Sequence, residues 1–328
     1  MVIVRYAAMV IALASLGCGD NDTARTFPEG GYARLSETGL YSDISTRTVA
    51  PDSRPYRVAH VLWSDGAEKN RWLYLPPGSR IDSSDMDAWQ LPVGAQLFKE
   101  FVRDGVLVET RLIERIDDTG NRESDFWVGA FLWKGDDSDA NFVVDGAENG
   151  RGTAHDVPGR TDCWRCHRGQ EGNVLGLAAV QLAHDGDGVT LDSLARDGQL
   201  SDEPELEVGP PGGPVAQRAL GYLHANCGHC HNPRGIASTD TDMHLQLSVD
   251  DKTAEQTAIY RSTANVPLQY WTATQDAFDY RMVPGEPDSS ALYFRMTSRD
   301  FGVSMPPLAT EDVHPDGIDA IRAWIQSL

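Results

Sequence analysis

The chain has 328 residues, 41% of them apolar and 23% charged, a length for about two domains of roughly 100–200 residues each. That balance excludes a disordered chain and a multi-span membrane protein. The net charge of −21 repels phosphate backbones, which argues against nucleic acid and leaves basic proteins or cations as charge-matched partners.

The first residues, "MVIVRYAAMVIALASLGCGD", carry one positive charge at Arg5, an apolar run from Tyr6 to Leu16 and small residues at the end. This reads as an export signal over 1–17, too short to span a bilayer comfortably, and it places the mature chain outside the cytoplasm. Cys18 follows Gly17 and opens a polar tether over 18–26. It resembles the lipidated cysteine of a bacterial lipoprotein, although Ser15 and Leu16 depart from the usual lipobox. The resemblance implies a lipid anchor and a periplasmic or outer-membrane location in a Gram-negative cell.

From 27 to 157 the runs "RWLYLPPG", "QLFKEFV", "LVETRLIERI" and "DFWVGAFLWKG" are short, β-branched and aromatic, with Gly, Asp and Asn between them. They predict an antiparallel β domain. Val108 to Ile116 alternates apolar with charged, as a half-buried strand does. In "LWSDGAEK", Asp65-Gly66 predicts a tight turn with Trp63 in the core; lining the pocket of the first of two cofactors is the alternative for Trp63, Ser64, Asp65, Gly66 and Lys69.

A connector over 158–208 carries "DCWRCHR", and "NCGHCHN" follows 64 positions later, so Cys163, Cys166, Cys227 and Cys230 use every cysteine except Cys18. Exported chains normally cross-link such a set. Here a histidine follows each pair. Cys-x-x-Cys-His is the frame of covalent haem c attachment: two thiols reach the two vinyl edges of a porphyrin, and the adjacent histidine, His167 or His231, becomes an axial ligand of the iron. A four-cysteine zinc site leaves both histidines unexplained, and a thioredoxin-like pair needs a βαβ context that neither frame has.

In 209–328, "GPPGGP" breaks the chain and "VAQRALGYLHANCGHCH" reads as a helix running into the second frame. "PDGIDAIRAWIQSL" sets Ile318, Ile321, Ile325 and Leu328 at helical spacing with Trp324 beside them. These two helices resemble the first and last of a class I cytochrome c, with Gly221 and Tyr222 expected at their crossing with Trp324. "GVSMPPL" then offers Met305 as the sixth ligand of the second haem, a thioether that favours reduced iron and a closed electron-transfer site, with Met282 and Met296 as its competitors. The first frame has no such loop. His60, His155, His184, His244, Met86 and Met296 are its distal candidates, and an open site is the alternative.

Taken together, "LSETGLY", "LWSDGAEKNRWLYLPPG", "LPVGAQLFKEF", "DCWRCH", "VLGLAAVQL", "YLHANCGHCHNPRG", "VPGEPDSSALYFRM" and "MPPL" resemble a family of exported bacterial di-haem c-type cytochromes of largely unassigned function. The likeness covers nearly the whole mature chain. It implies a multidomain α+β protein, an N-terminal antiparallel β domain followed by a mainly α-helical class I-like cytochrome c domain. It supports Cys163, Cys166, His167, Cys227, Cys230, His231 and Met305, and offers Met296 as a sixth ligand of the first haem. The implied role is electron transfer with a redox partner protein carrying a basic docking patch, a periplasmic dehydrogenase of quinoprotein type among the donors. A di-haem enzyme such as a peroxidase, and a haem-based ligand-binding module, are the competing expectations.

Overall fold

The computed structural model describes residues 24–205, 207–268, 277–308 and 310–328. The expected export signal and Cys18 lie outside the described residues. Among these the fold is mixed α+β, with two antiparallel sheets.

A small hairpin pairs β1 (Tyr41–Asp43) with β2 (Thr48–Val49). The main sheet has six strands in chain order: β3 (Arg54–Pro55), β4 (Glu68–Tyr74), β5 (Gln96–Arg103), β6 (Val106–Arg115), β7 (Phe126–Trp133) and β8 (Ala140–Phe142). The four runs singled out in the sequence are β4 to β7. Asp104 and Gly105 join β5 to β6 with φ of 52° and 76°, the positive values that a two-residue hairpin turn needs and that Asp-Gly supplies at low steric cost.

Side chains alternate across this sheet, and both faces are covered. On one, Phe98, Leu112 and Phe131 pack with Tyr32, Leu35, Leu40 and Trp133, so the segment that precedes the sheet forms half of a core with it. On the other, Leu73 and Leu97 pack with Leu177, Leu182, Leu191 and Leu194. The connector therefore shares the β domain's core. Its helices are α1 (Arg160–His167), α2 (Ala179–Leu182) and α3 (Leu191–Arg196). In β6 the Leu112 face is buried, as expected, and Arg111, Ile113 and Arg115 on the other face keep partial exposure, but Glu109 on that face is fully buried by the same cover.

The C-terminal unit contains α4 (Pro214–Asn226), α5 (Ala258–Thr263), α6 (Ala291–Thr297) and α7 (Pro315–Ser327). Proline opens α4 and α7, where its missing N–H costs nothing. Leu220 and Leu223 of α4, Leu292 and Met296 of α6, and Ile321, Trp324 and Ile325 of α7 form one core. Ile318 is partly buried against it, while Leu328 is exposed at the chain end.

The helix crossing differs from the expectation in one residue. Tyr222 does meet α7, at Gly317, where an added Cβ would stand 2.3 Å from the Tyr222 ring. Gly221 instead admits the His60 imidazole, which an added Cβ would approach to 2.2 Å. Replacing Gly317 with Ala gains helix propensity but overpacks this crossing. We expect Gly317→Ala to lower stability by about 1–3 kcal/mol in denaturant unfolding; an unchanged or raised midpoint would refute the crossing.

Candidate functional site

The whole first frame lies on α1. Three-residue spacing puts Cys163 and Cys166 on one helical face, with both thiols half-buried. His167 Nδ1 is 2.8 Å from the Asn173 carbonyl oxygen. As an N–H donor there, it leaves Nε2 as the nitrogen free to ligate. Burial, the largest effect, pushes the His167 pKa down to about 4, so the imidazole is in its neutral, ligating form at pH 7. Asn173 is itself held, its amide donating to the Arg122 carbonyl at 2.6 Å.

The second frame begins as α4 ends. The Cys227 N–H still bonds to Leu223, and the turn then closes through His231 N–H to the Cys227 carbonyl at 2.9 Å. The His231 carbonyl accepts from Leu245 N–H at 2.8 Å, which ties the frame to the following segment. Burial pushes the His231 pKa down to about 4 as well. Its Nδ1 is buried without a hydrogen bond of normal geometry, although the Met243 backbone lies near enough to favour a proton there.

The fold brings the two frames together. Gly169 and Gly235, each shortly after its own frame, pass backbone against backbone: a Cβ on Gly169 would lie 2.7 Å from both the Gly235 Cα and the His229 carbonyl oxygen. Arg234 pairs with Glu171 across this crossing, and Gln246 donates to Gln170 at 2.7 Å. As a result Cys166, His229 and Cys230 bring ligand atoms within 4.8 Å of one another. The Cys230 thiol donates toward Cys166, the largest influence holding the Cys166 pKa low, and the same bond raises that of Cys230. His229 is the functional candidate that sequence reasoning missed, because between two cysteines of a haem frame it reads as filler.

Met305 lies beside the second frame. It lines a cavity together with Cys227, Tyr222, Asn226 and Met296. Arg299 donates to the carbonyls of both methionines, at 2.9 Å each, and Met305 N–H bonds to the Arg295 carbonyl at 2.9 Å. Met296, offered as a ligand for the first frame, thus stands with the second one, in the core around α4 and α7.

The "LWSDG" stretch reaches this same cavity. Asp65 and Gly66 form the expected turn, both with positive φ. Trp63, however, belongs to none of the apolar cores: it stacks on His314 with ring centroids 4.0 Å apart and planes 8° from parallel. Its Nε1 donates to the Asp312 carbonyl, and Asn226 bonds both the Trp63 N–H and the Val61 carbonyl. The two Asp65 carboxylate oxygens accept from Glu311 and Asp312 N–H at 3.0 Å each. This stretch lines the second site, where a role at the first was the alternative.

The other distal candidates are scattered over the fold, and not all of them are engaged. His184 bonds the Arg57 carbonyl and Gly186 N–H in an exposed turn, and Met86 packs on the sheet core. The His244 backbone is held by Ser262. His60 is buried against α4 with Nε2 unpartnered. His155 Nε2 lies 2.7 Å from Glu109 in the sheet face that looks toward α1. Arg111 grips the same carboxylate.

No family model, curated protein or solved structure matches this chain. The site's chemistry therefore rests on its donors: two neutral histidines, four thiols and two thioethers, a set suited to iron porphyrin or zinc.

Three outcomes test this arrangement. Gly169→Ala, whose Cβ would lie 2.7 Å from the Gly235 Cα and the His229 carbonyl oxygen, should cost about 1–3 kcal/mol and separate the frames; a bifunctional thiol reagent that still bridges Cys166 and Cys230 at the wild-type rate would contradict that. Asp65→Ala should free the segment around Glu311 and Asp312, read as faster amide exchange confined to it, with a stability loss of about 1–2 kcal/mol for the two lost bonds. Burial alone would raise the Glu109 pKa, but Arg111 and His155 hold it below the ordinary carboxylate value. Its stabilisation is then complete above about pH 4.3 and fades as the pH falls through the lowered folded value. Glu109→Gln should cost about 2–3 kcal/mol at pH 7, less than a fully buried pair because the Arg111 side chain is 32% exposed; the gap to wild type should narrow in acid, and a constant gap would count against the pairing.

Proposed function

We propose that this chain is an exported di-haem c-type cytochrome that passes electrons between partners outside the cytoplasm. The observation that carries the reading is the junction of the two Cys-x-x-Cys-His frames, each with a neutral histidine, His231 buried and His167 half-buried. On this reading Cys163 and Cys166 bind one haem c and Cys227 and Cys230 the other, with His167 and His231 as proximal ligands. The irons supply one-electron chemistry in either direction.

The chain's own residues would do the rest. Asn173 orients His167 and leaves Nε2 free, as a second-shell acceptor does for many metal-bound histidines. Arg299 and Arg295 fix the backbone of Met305 beside Cys227, so Met305 is the sixth-ligand candidate of the second haem, and 209–328 is read as a class I-like cytochrome c domain. The cavity there is only about 20 Å³, far less than a porphyrin needs, so seating one requires the Met305 loop to stand further from α4. Adjacent attachment points at Cys166 and Cys230 would bring the two porphyrin edges close, which suits transfer between them. Partners would be a periplasmic dehydrogenase as donor and a carrier with a basic docking patch, steered by the net charge of −21. Cys18 would anchor the protein to the membrane by a lipid.

Zinc is the second reading, favoured by the grouping of Cys166, His229 and Cys230. A pyridine haemochrome assay on protein exported by the native host decides between them. Two haems per chain are expected; colourless protein with bound zinc would end the cytochrome reading. Met305→Ala should then turn one haem high-spin and lower its potential, and an unchanged optical spectrum would retire that ligand. Carbon monoxide binding with peroxide turnover in the wild type would favour an enzyme over a carrier.

A further inference from the structure

The sheet face beneath α1 carries charge that nothing in the cytochrome reading uses. Cross-strand register aligns Arg71 of β4, Lys99 of β5 and Arg111 of β6 in one row. In the next row stand Lys69, Phe101 and Glu109. Directly opposed side chains on neighbouring strands have Cβ atoms roughly 4.5–5.5 Å apart, and like charges placed so repel. Lys69, Lys99 and Arg111 all lie over the Phe101 ring, at 5.8, 5.0 and 4.2 Å from its centre.

The anionic side of the balance is short. Glu109 is the one carboxylate in these two rows, and Arg111 and His155 share it. Asp65 reaches Lys69 electrostatically, but its oxygens are taken by the Glu311 and Asp312 N–H groups. Among the described residues, no hydrogen bond or ion pair joins the side chains of Arg71 and Lys99 to a partner. Burial first, then Arg71 and Arg111, drive the Lys99 pKa well below that of an ordinary lysine. Even so, neither Lys99 nor Arg71 is sealed off, since both keep part of their surface accessible.

Chance placement fits this poorly. The chain has four lysines, at 69, 99, 134 and 252, and two of them face the same phenylalanine. A protein with 49 acidic and 28 basic residues has many carboxylates to offer as partners, yet gives none to Arg71 and Lys99 among the described residues. The charges also face the first frame: Arg111 acts on Cys163 and Cys166, and Lys99 on His167.

We propose that Arg71, Lys99 and Arg111 form a binding site for a small oxyanion, a carboxylate or an inorganic oxoanion, between the sheet and the first Cys-x-x-Cys-His helix. The planar Arg71 guanidinium presents paired N–H donors to such a group, Lys99 adds a point charge, and Arg111, whose Nε and Nη2 already bond Glu109, adds the N–H groups of its other nitrogen. Two sources can supply the anion: a diffusible ligand held beside the first frame, or the carboxylates of a cofactor attached there. The site itself stands whether or not haem is bound.

The test is calorimetric titration of the full-length protein with acetate and with inorganic phosphate, at low chloride. A free-ligand site binds one equivalent of either probe, at least tenfold more weakly in Lys99→Met and in Arg71→Met. A site filled by a cofactor's carboxylates binds nothing in the wild type but takes up the probe in the Cys163→Ala/Cys166→Ala variant, again with loss on adding Lys99→Met. Both results support the proposal. It is overturned if neither protein binds either anion, or if binding survives both cation substitutions. The thermal midpoint guards against misfolding: with no native carboxylate lost, Lys99→Met should melt no lower than wild type in anion-free buffer. A colourless protein that still binds the probe would sink the haem reading and leave this site intact.

Discussion

The close approach of Gly169 and Gly235 is the constraint on which the rest of the arrangement depends. Neither position has room for even one methyl group: the backbone of the other loop, or of the frame itself, already occupies it. Because α1 is fixed on the sheet and the second frame is fixed at the end of α4, this one contact determines how the two halves face each other. Everything between them then follows as geometry: the Cys166 and Cys230 sulfurs meet, His229 joins them, and the Gln170–Gln246 bond closes the edge. Backbone-to-backbone packing of this kind is stiff, since no side-chain rotamer change relieves it.

A second tie, far from the first, keeps the halves from pivoting about that contact. Residues 60–65 leave the sheet domain and lie along the C-terminal unit, with His60 at Gly221, Trp63 on His314, and Asp65 on the Glu311–Asp312 backbone. The segment behind Met305 is thereby buttressed by a tryptophan more than 240 positions earlier in the chain. The β domain's role at the second frame is structural in this sense: it supplies part of the wall around the methionines.

The parts legible in the sequence are those governed by local rules. Strands β4 to β7 are legible as aromatic and β-branched runs with Gly, Asp and Asn between them, the Asp65 turn as Asp-Gly, and α4 and α7 as apolar positions at helical spacing. The illegible parts depend on what covers a surface. Alternation in β6 implied a wet face, but α1 and the connector cover Glu109, and no period within nine residues encodes a cover that arrives 50 positions later. Trp63 read as core because a large indole usually is; its stacking partner His314 is 251 residues away. His229 was hidden by its own neighbours, whose stronger signal left it no separate meaning.

The distribution of charge connects the two candidate sites. Arg71, Lys99 and Arg111 are drawn inward beneath the first frame, while Arg295 and Arg299 are spent on carbonyls around the methionines. The half-buried row lowers the cost of placing negative charge beside the first frame, while the net charge of −21 would draw a cationic protein to the outer surface from beyond contact range, within a Debye length of about 8 Å at physiological salt. Holding those cations partly out of water costs desolvation, and that cost makes sense if the row has an anion to meet.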